Sequence, residues 1–192
     1  MIAILDYGAG NITSVKNLLL NLNIDTVVSS NLLELNDADK IIFPGVGHAE
    51  FAMNQLNELN LIPFIQSYQK PFLGICLGLQ LMCSHSEEGN THGLGIIPAI
   101  VKKFPPKDII PHMGWNNVQY KKHPLFAGLP TNPDFYFVHS YYVENNPFCV
   151  AQCNYIVDFC CAVHKDNFYG VQFHPEKSSK FGKIIIQNFL NL

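Results

Sequence analysis

The first half of the chain alternates short apolar runs with stretches of helical periodicity. Ile2-Ala3-Ile4-Leu5 is one such run and ends in the turn Gly8-Ala9-Gly10-Asn11. Val15, Leu18, Leu19 and Leu22 then recur at helical spacing, which predicts a helix capped by Asn11 or Thr13. Residues 25–30 (DTVVSS) read as a second strand, and residues 40–45 (KIIFPG) as a third that Pro44 and Gly45 close. Helices are expected over 48–57 and 61–69, a fourth strand over 71–76 (PFLGIC), and a helix over 77–84 (LGLQLMCS). Apolar runs joined by helices imply parallel strands buried on both faces.

The second half changes character. Residues 95–104, 115–120, 135–143 and 169–174 are rich in β-formers with Pro, Gly and Asn between them, and residues 178–190 read as a closing helix capped by Ser178 or Ser179. No repeat, low-complexity linker or break in composition interrupts the 192 residues, so a single α/β domain spanning 1–192, with a mixed sheet, is expected.

Composition narrows the class. With 48% hydrophobic and only 14% charged residues the chain can bury a substantial core, which argues against disorder. A formal net charge of -3 without blocks of like charge offers no surface for nucleic acid or for an anionic membrane. The start, MIAILDYGAG, has no basic segment before its apolar run and does not resemble a signal peptide, so a cytoplasmic location is expected. The six cysteines (76, 83, 149, 153, 160 and 161) are therefore expected as free thiols, and none has convincing zinc-ligand spacing. Five of them read as small buried hydrophobes.

Cys76 is the exception. Gly74-Ile75-Cys76-Leu77-Gly78 lies between a strand and a helix, with glycine two before and two after the cysteine. That is the pattern of a nucleophile elbow, a tight turn that strains the nucleophile's backbone and exposes its side chain. The helix start supplies unpaired N–H groups that favour thiolate, and the Leu77 N–H is a candidate donor to an oxyanion. A thiol nucleophile needs a base, and the base needs an orienting carboxylate. Phe173-His174-Pro175-Glu176 offers both, two residues apart at a strand end, a spacing that would put the two side chains on one face. Among the other histidines only His112 and His139 remain as secondary candidates.

Elbow and FHPE together resemble the class I (triad-type) glutamine amidotransferases, and most closely those that are glutaminase subunits of imidazole glycerol phosphate synthase. The resemblance runs essentially end to end, through LDYGAGN, FPGVG, GICLGLQ, GLGIIP, PHMGWN, FVHSYY and YGVQFHPEKS in that order. It implies a flavodoxin-like α/β fold, a largely parallel mixed central sheet flanked by helices. It also implies hydrolysis of L-glutamine to glutamate and ammonia, with Cys76 as nucleophile, His174 as base and Glu176 as orienter, and no cofactor or metal. The PGVG loop would supply the second oxyanion donor from the Gly45–Val46 peptide, beside Leu77. Gly47, Gln80, His139, Ser140 and Tyr141 would hold the substrate. The implied partner is a cyclase/synthase subunit with a (β/α)8-barrel, forming a heterodimer through Asn11, Trp115, Tyr141 and Lys177. It would use the ammonia to make imidazole glycerol phosphate and an aminoimidazole carboxamide ribonucleotide in histidine biosynthesis.

Three other readings use the same residues. A paralogous glutaminase subunit could feed a different ammonia acceptor, such as a sugar amidotransferase of surface-polysaccharide synthesis. A non-catalytic domain could retain the fold, against which the intact Cys-His-Glu set argues. Another thiol hydrolase of similar architecture is disfavoured by the glutamate after His-Pro and by PHMGWN.

Overall fold

The computed structural model describes residues 1–192. In chain order the elements are β1 (Ile2–Leu5), α1 (Ile12–Leu20), β2 (Thr26–Ser29), α2 (Leu32–Asp37), β3 (Lys40–Gly45), α3 (Ala49–Glu58), α4 (Leu61–Ser67), β4 (Phe72–Cys76), α5 (Leu77–Met82), β5 (Cys83–Ser86), β6 (Thr91–His92), β7 (Ile97–Lys103), β8 (His112–Asn117), β9 (Gln119–Tyr120), β10 (Asp134–His139), β11 (Tyr141–Val143), β12 (Cys149–Tyr155), β13 (Val157–Lys165), β14 (Phe168–Val171) and α6 (Ser179–Leu190).

The order β2-β1-β3-β4-β14 is parallel throughout. It is the flavodoxin-like order, in which the carboxyl ends of the central strands frame a ligand crevice. Beyond β14 the sheet turns antiparallel through β13 and β11 to β7, and β12 pairs with β13 and β9. Strands β8 and β10 form a separate antiparallel pair over the carboxyl edge of the main sheet.

Each central strand buries both faces. Ala3, Leu5, Ile41, Phe43 and Phe72 pack against α2, α3, α4 and α5 on one side. Ile4, Ile42, Leu73, Ile75 and Val171 pack against α1 and α6 on the other. This is why their sequences are continuous apolar runs.

Three sequence expectations change. The helix after Cys76 ends at Met82, and Cys83 opens β5 instead of continuing the helix, although it is fully buried as expected. The run FYFVHSYYV is two strands, because the chain leaves the β8–β10 pair at Ser140 and joins the main sheet at Tyr141. Ser178 sits at the N-cap of α6 without a capping hydrogen bond, because its hydroxyl is used elsewhere.

Candidate active site

Cys76 ends β4 with φ 54 and ψ -107, a conformation that L residues rarely adopt. Such backbone persists only where surrounding packing determines it. A Cβ on Gly78 would sit 2.0 Å from the Phe43 carbonyl oxygen, and one on Gly74 would sit 2.7 Å from Met82 Cε. Glycine at both places lets α5 press onto β3 and β4, and that pressure fixes the turn. Leu77 is the first helical residue, so its N–H has no partner within the helix.

His174 and Glu176 come together differently from the strand-face expectation. Both follow the end of β14, and Glu176 lies in the single 3-10 turn Pro175–Lys177. The Ser178 hydroxyl fastens this turn, donating to His174 O at 2.6 Å and accepting from Tyr136 N–H at 2.9 Å. His174 N–H donates to Tyr136 O at 2.9 Å. A Cβ on Gly182 would lie 1.9 Å from the Pro175 carbonyl oxygen, so α6 seats directly on the turn.

The result is a 2.7 Å pair between His174 Nδ1 and Glu176 Oε1, with the side chains 2% and 1% exposed. Nδ1 donates to the carboxylate, which leaves Nε2, without any other hydrogen-bond partner, to the neighbouring Cys76 sulfur. Burial pushes the His174 pKa down, but the neighbouring sulfur of Cys76 and the Glu176 carboxylate outweigh it and raise it to about 10. Both neighbours favour the imidazolium over the neutral ring.

A histidine whose folded pKa is raised contributes fully below its unfolded value near 6.5 and loses that contribution as pH rises towards about 10. The Tm advantage of the wild-type chain over His174→Gln is therefore expected to be largest below pH ~6.5 and to shrink steadily above it. An NMR titration should also find the His174 pKa lower in Cys76→Ala than in wild type. An unchanged titration would show that the sulfur does not act on the imidazole.

Cys76 and His174 line a cavity of about 390 Å³ together with Val46, Gly47, Leu77, Gln80, Glu88, Pro111, Val138, His139, Ser140 and Tyr141. Every residue expected at the oxyanion and substrate positions except Gly45 lines it. Gly45 lies just behind, where a Cβ would meet Gly78 N at 2.7 Å and Leu77 Cβ at 2.8 Å. Its glycine is required for packing against the elbow. The left-handed residue of the loop is Gly47, at φ 101. The Val46 N–H makes no hydrogen bond within the chain.

One wall is a buried polar chain. Gln80 Nε2 donates to Tyr141 O at 2.9 Å, and His139 Nδ1 meets the same carbonyl at 2.7 Å. A carbonyl only accepts, so His139 carries its proton on Nδ1 and its Nε2 accepts from His112 Nδ1 at 3.0 Å. His112 Nε2 then accepts from Asn116 Nδ2 at 3.3 Å. Burial lowers both imidazoles, His112 to about 4 and His139 to about 3, so both stay neutral. Neutral and hydrogen-bonded, the two rings brace the Tyr141 wall of the cavity.

The residues expected at a partner contact separate. Trp115 is 55% exposed and packs edge-on to Tyr136, over whose ring Lys177 Nζ lies at 5.8 Å. Met113, 62% exposed, extends this apolar surface. Tyr141 is half-buried in the cavity wall, and Asn11 caps α1 by accepting from Ser14 N–H.

Sequence reasoning missed four residues here. Glu88 is the cavity's one carboxylate, and it also accepts from Ala49 N–H at 2.8 Å. The Tyr7 hydroxyl donates to Pro44 O at 3.0 Å and so tethers the PGVG loop. Gln172 and Ser178 act through contacts that only the fold creates. A buried glutamine inside YGVQF was the one visible sign.

The model of the family described as "Glutamine amidotransferase class-I" matches residues 3–192. The imidazole glycerol phosphate synthase subunit HisH of Bacteroides fragilis is 50% identical over 100% of this chain and 99% of its own length. The subunit of the same name from Haemophilus influenzae is 48% identical over 98% of this chain and 96% of its own. A solved structure from Thermoplasma acidophilum, described as a putative GMP synthase subunit, shares the fold with TM-score 0.77 at 23% identity, covering 99% of this chain and 92% of that one. The chain belongs to the class I glutamine amidotransferases and, within them, to the family of imidazole glycerol phosphate synthase HisH subunits.

Proposed function

We propose that the chain hydrolyses L-glutamine and passes the ammonia to a separate cyclase/synthase subunit with a (β/α)8-barrel, which makes imidazole glycerol phosphate and an aminoimidazole carboxamide ribonucleotide. The observation that carries this reading is the strained Cys76 and His174 in one cavity, with His174 held from behind by the buried Glu176 carboxylate. Cys76 Sγ attacks the side-chain amide carbon of glutamine. The oxygen that gains charge is met by the Leu77 N–H and, when the loop turns it inward, by the Val46 N–H. The His174 imidazolium protonates the departing nitrogen, which leaves as ammonia. Neutral His174 then takes a proton from water, whose oxygen attacks the thioester to release glutamate and free the sulfur. Glu176 keeps Nδ1 protonated and Nε2 directed at the reacting groups. Glu88 suits the substrate's α-ammonium by charge.

Ammonia set free in water would be protonated and lost, so the partner docks over the site, and the exposed patch of Trp115, Met113, Tyr136 and Lys177 is its contact in this reading. No helix is long and apolar enough to cross a membrane. The cytoplasm, as a heterodimer, is the setting that fits this chemistry.

Glutaminase assays of the complex test the roles. Since Glu176 exchanges no proton, Glu176→Gln should retain measurable turnover while His174→Ala retains almost none. Equal losses would contradict the division of labour.

A further inference from the structure

Gln172 is fully buried between β14 and His174. Its carboxamide makes two side-chain contacts. Oε1 accepts from Gln80 Nε2 at 2.9 Å, and Nε2 donates to Cys76 Sγ at 3.6 Å. The direction of these bonds is set from outside the pair. The Gln80 group facing Tyr141 O must be its NH2, because a backbone carbonyl only accepts. That same NH2 meets Gln172, so the atom of Gln172 that meets it is the carbonyl oxygen. The remaining NH2 of Gln172 must then point at the sulfur. Reversing either amide would set donor against donor or acceptor against acceptor, which a buried pair does not tolerate.

We propose that Gln172 is a further catalytic residue of the glutaminase reaction, holding the Cys76 sulfur as an anion and fixing its direction through the Nε2–H bond. The proposal rests on Cys76 being the nucleophile. An N–H bonds a thiolate more strongly than a thiol, so a donor locked onto Sγ favours the reactive form. In the neutral thiol the alternative contact is long, 3.9 Å to Val138 O. His174 titrates, whereas the carboxamide does not, so its donor persists at every pH. Gln80 also lines the cavity, so a ligand that displaces its amide would loosen Gln172 and the sulfur with it.

The test is the pH profile of Cys76 alkylation by iodoacetamide in the full chain, with Cys76→Ala to subtract the other thiols and thermal melting to confirm folding. In Gln172→Met the midpoint should rise by about one pH unit, and at any pH well below the midpoint the rate should fall about tenfold. Gln172→Glu, isosteric with the native residue, should raise the midpoint further by placing a carboxylate on the sulfur. Gln80→Met, which unlocks the Gln172 amide without touching Cys76, should shift it in the same direction and remains readable if both Gln172 variants misfold. With the partner present, Gln172→Met should lower kcat more than it raises KM. Midpoints that coincide with wild type in folded variants would overturn the role of Gln172. Failure of the underlying reading shows separately, as turnover that survives Cys76→Ala.

Discussion

Cys76→Ala will abolish glutamine hydrolysis by the assembled complex while the chain keeps its fold and its partner. The expected loss is roughly four orders of magnitude or more, the scale on which removing a covalent nucleophile disables a triad. Folding should survive because the substitution deletes one sulfur at a residue 7% exposed, whose two sulfur hydrogen bonds are long, at 3.6 and 3.9 Å. Alanine also leaves intact the glycine contacts that shape the elbow. Cys83→Ala is the matching control. Cys83 is fully buried in β5, with burial pushing its thiol well up, so it is inert as a nucleophile. Its loss should lower Tm and leave turnover nearly unchanged.

The elbow and the HPE segment could be read from the sequence because each is a local pattern: flanking glycines around a cysteine, and a histidine two residues from a carboxylate. The parallel strands were legible for a related reason, since burial on both faces writes itself as an unbroken apolar run. What escaped depends on contacts distant in sequence. Gln172 and Gln80 are separated by 92 positions, and His112 and His139 by 27. Nothing local tells either member of a pair which residue is its partner. Helix α2, at six residues, is too short for periodicity to show, although Asn31 caps it by accepting from Leu33 N–H. The long β12–β13 hairpin mixes Cys, Gln, Asn and Asp into its strands and carries register shifts, which blur the alternation that marks a strand. Ser140 divides β10 from β11 without any break in that alternation.

The isolated chain will be a poor glutaminase, and the ligand-loaded partner will switch it on by two or more orders of magnitude. Hydrolysis uncoupled from an ammonia acceptor would waste glutamine. On the proposed reading the second oxyanion donor comes from the PGVG loop, where the Val46 N–H has no partner and Gly47 holds φ 101. With that N–H turned away the tetrahedral intermediate lacks one donor, which typically costs about 2.7–4 kcal/mol, or roughly 100- to 1,000-fold in rate. A partner that favours the inward peptide by a similar free energy restores it. Val46 lies exposed at the cavity mouth, where a docked subunit can reach the loop. Gly45 is a poor place to test this, because any side chain there collides with α5. Gly47 is the better one. A Cβ at Gly47 meets nothing within 4 Å, so Gly47→Ala perturbs the backbone preference alone. Stimulation should weaken in Gly47→Ala while partner affinity holds. Full activity from the isolated chain, unmoved by partner or ligand, would rule out the switch.

The most direct test of the account is covalent capture of the nucleophile. The complex, loaded with the partner's nucleotide ligand, is treated with a chloroketone analogue of glutamine and the modified residue is mapped by peptide mass spectrometry. A single adduct on Cys76 is expected, formed in step with loss of glutaminase activity, slowed by glutamine and by omission of the partner. Inactivation with the adduct on any other residue, or labelling of Cys76 that leaves turnover intact, would contradict it.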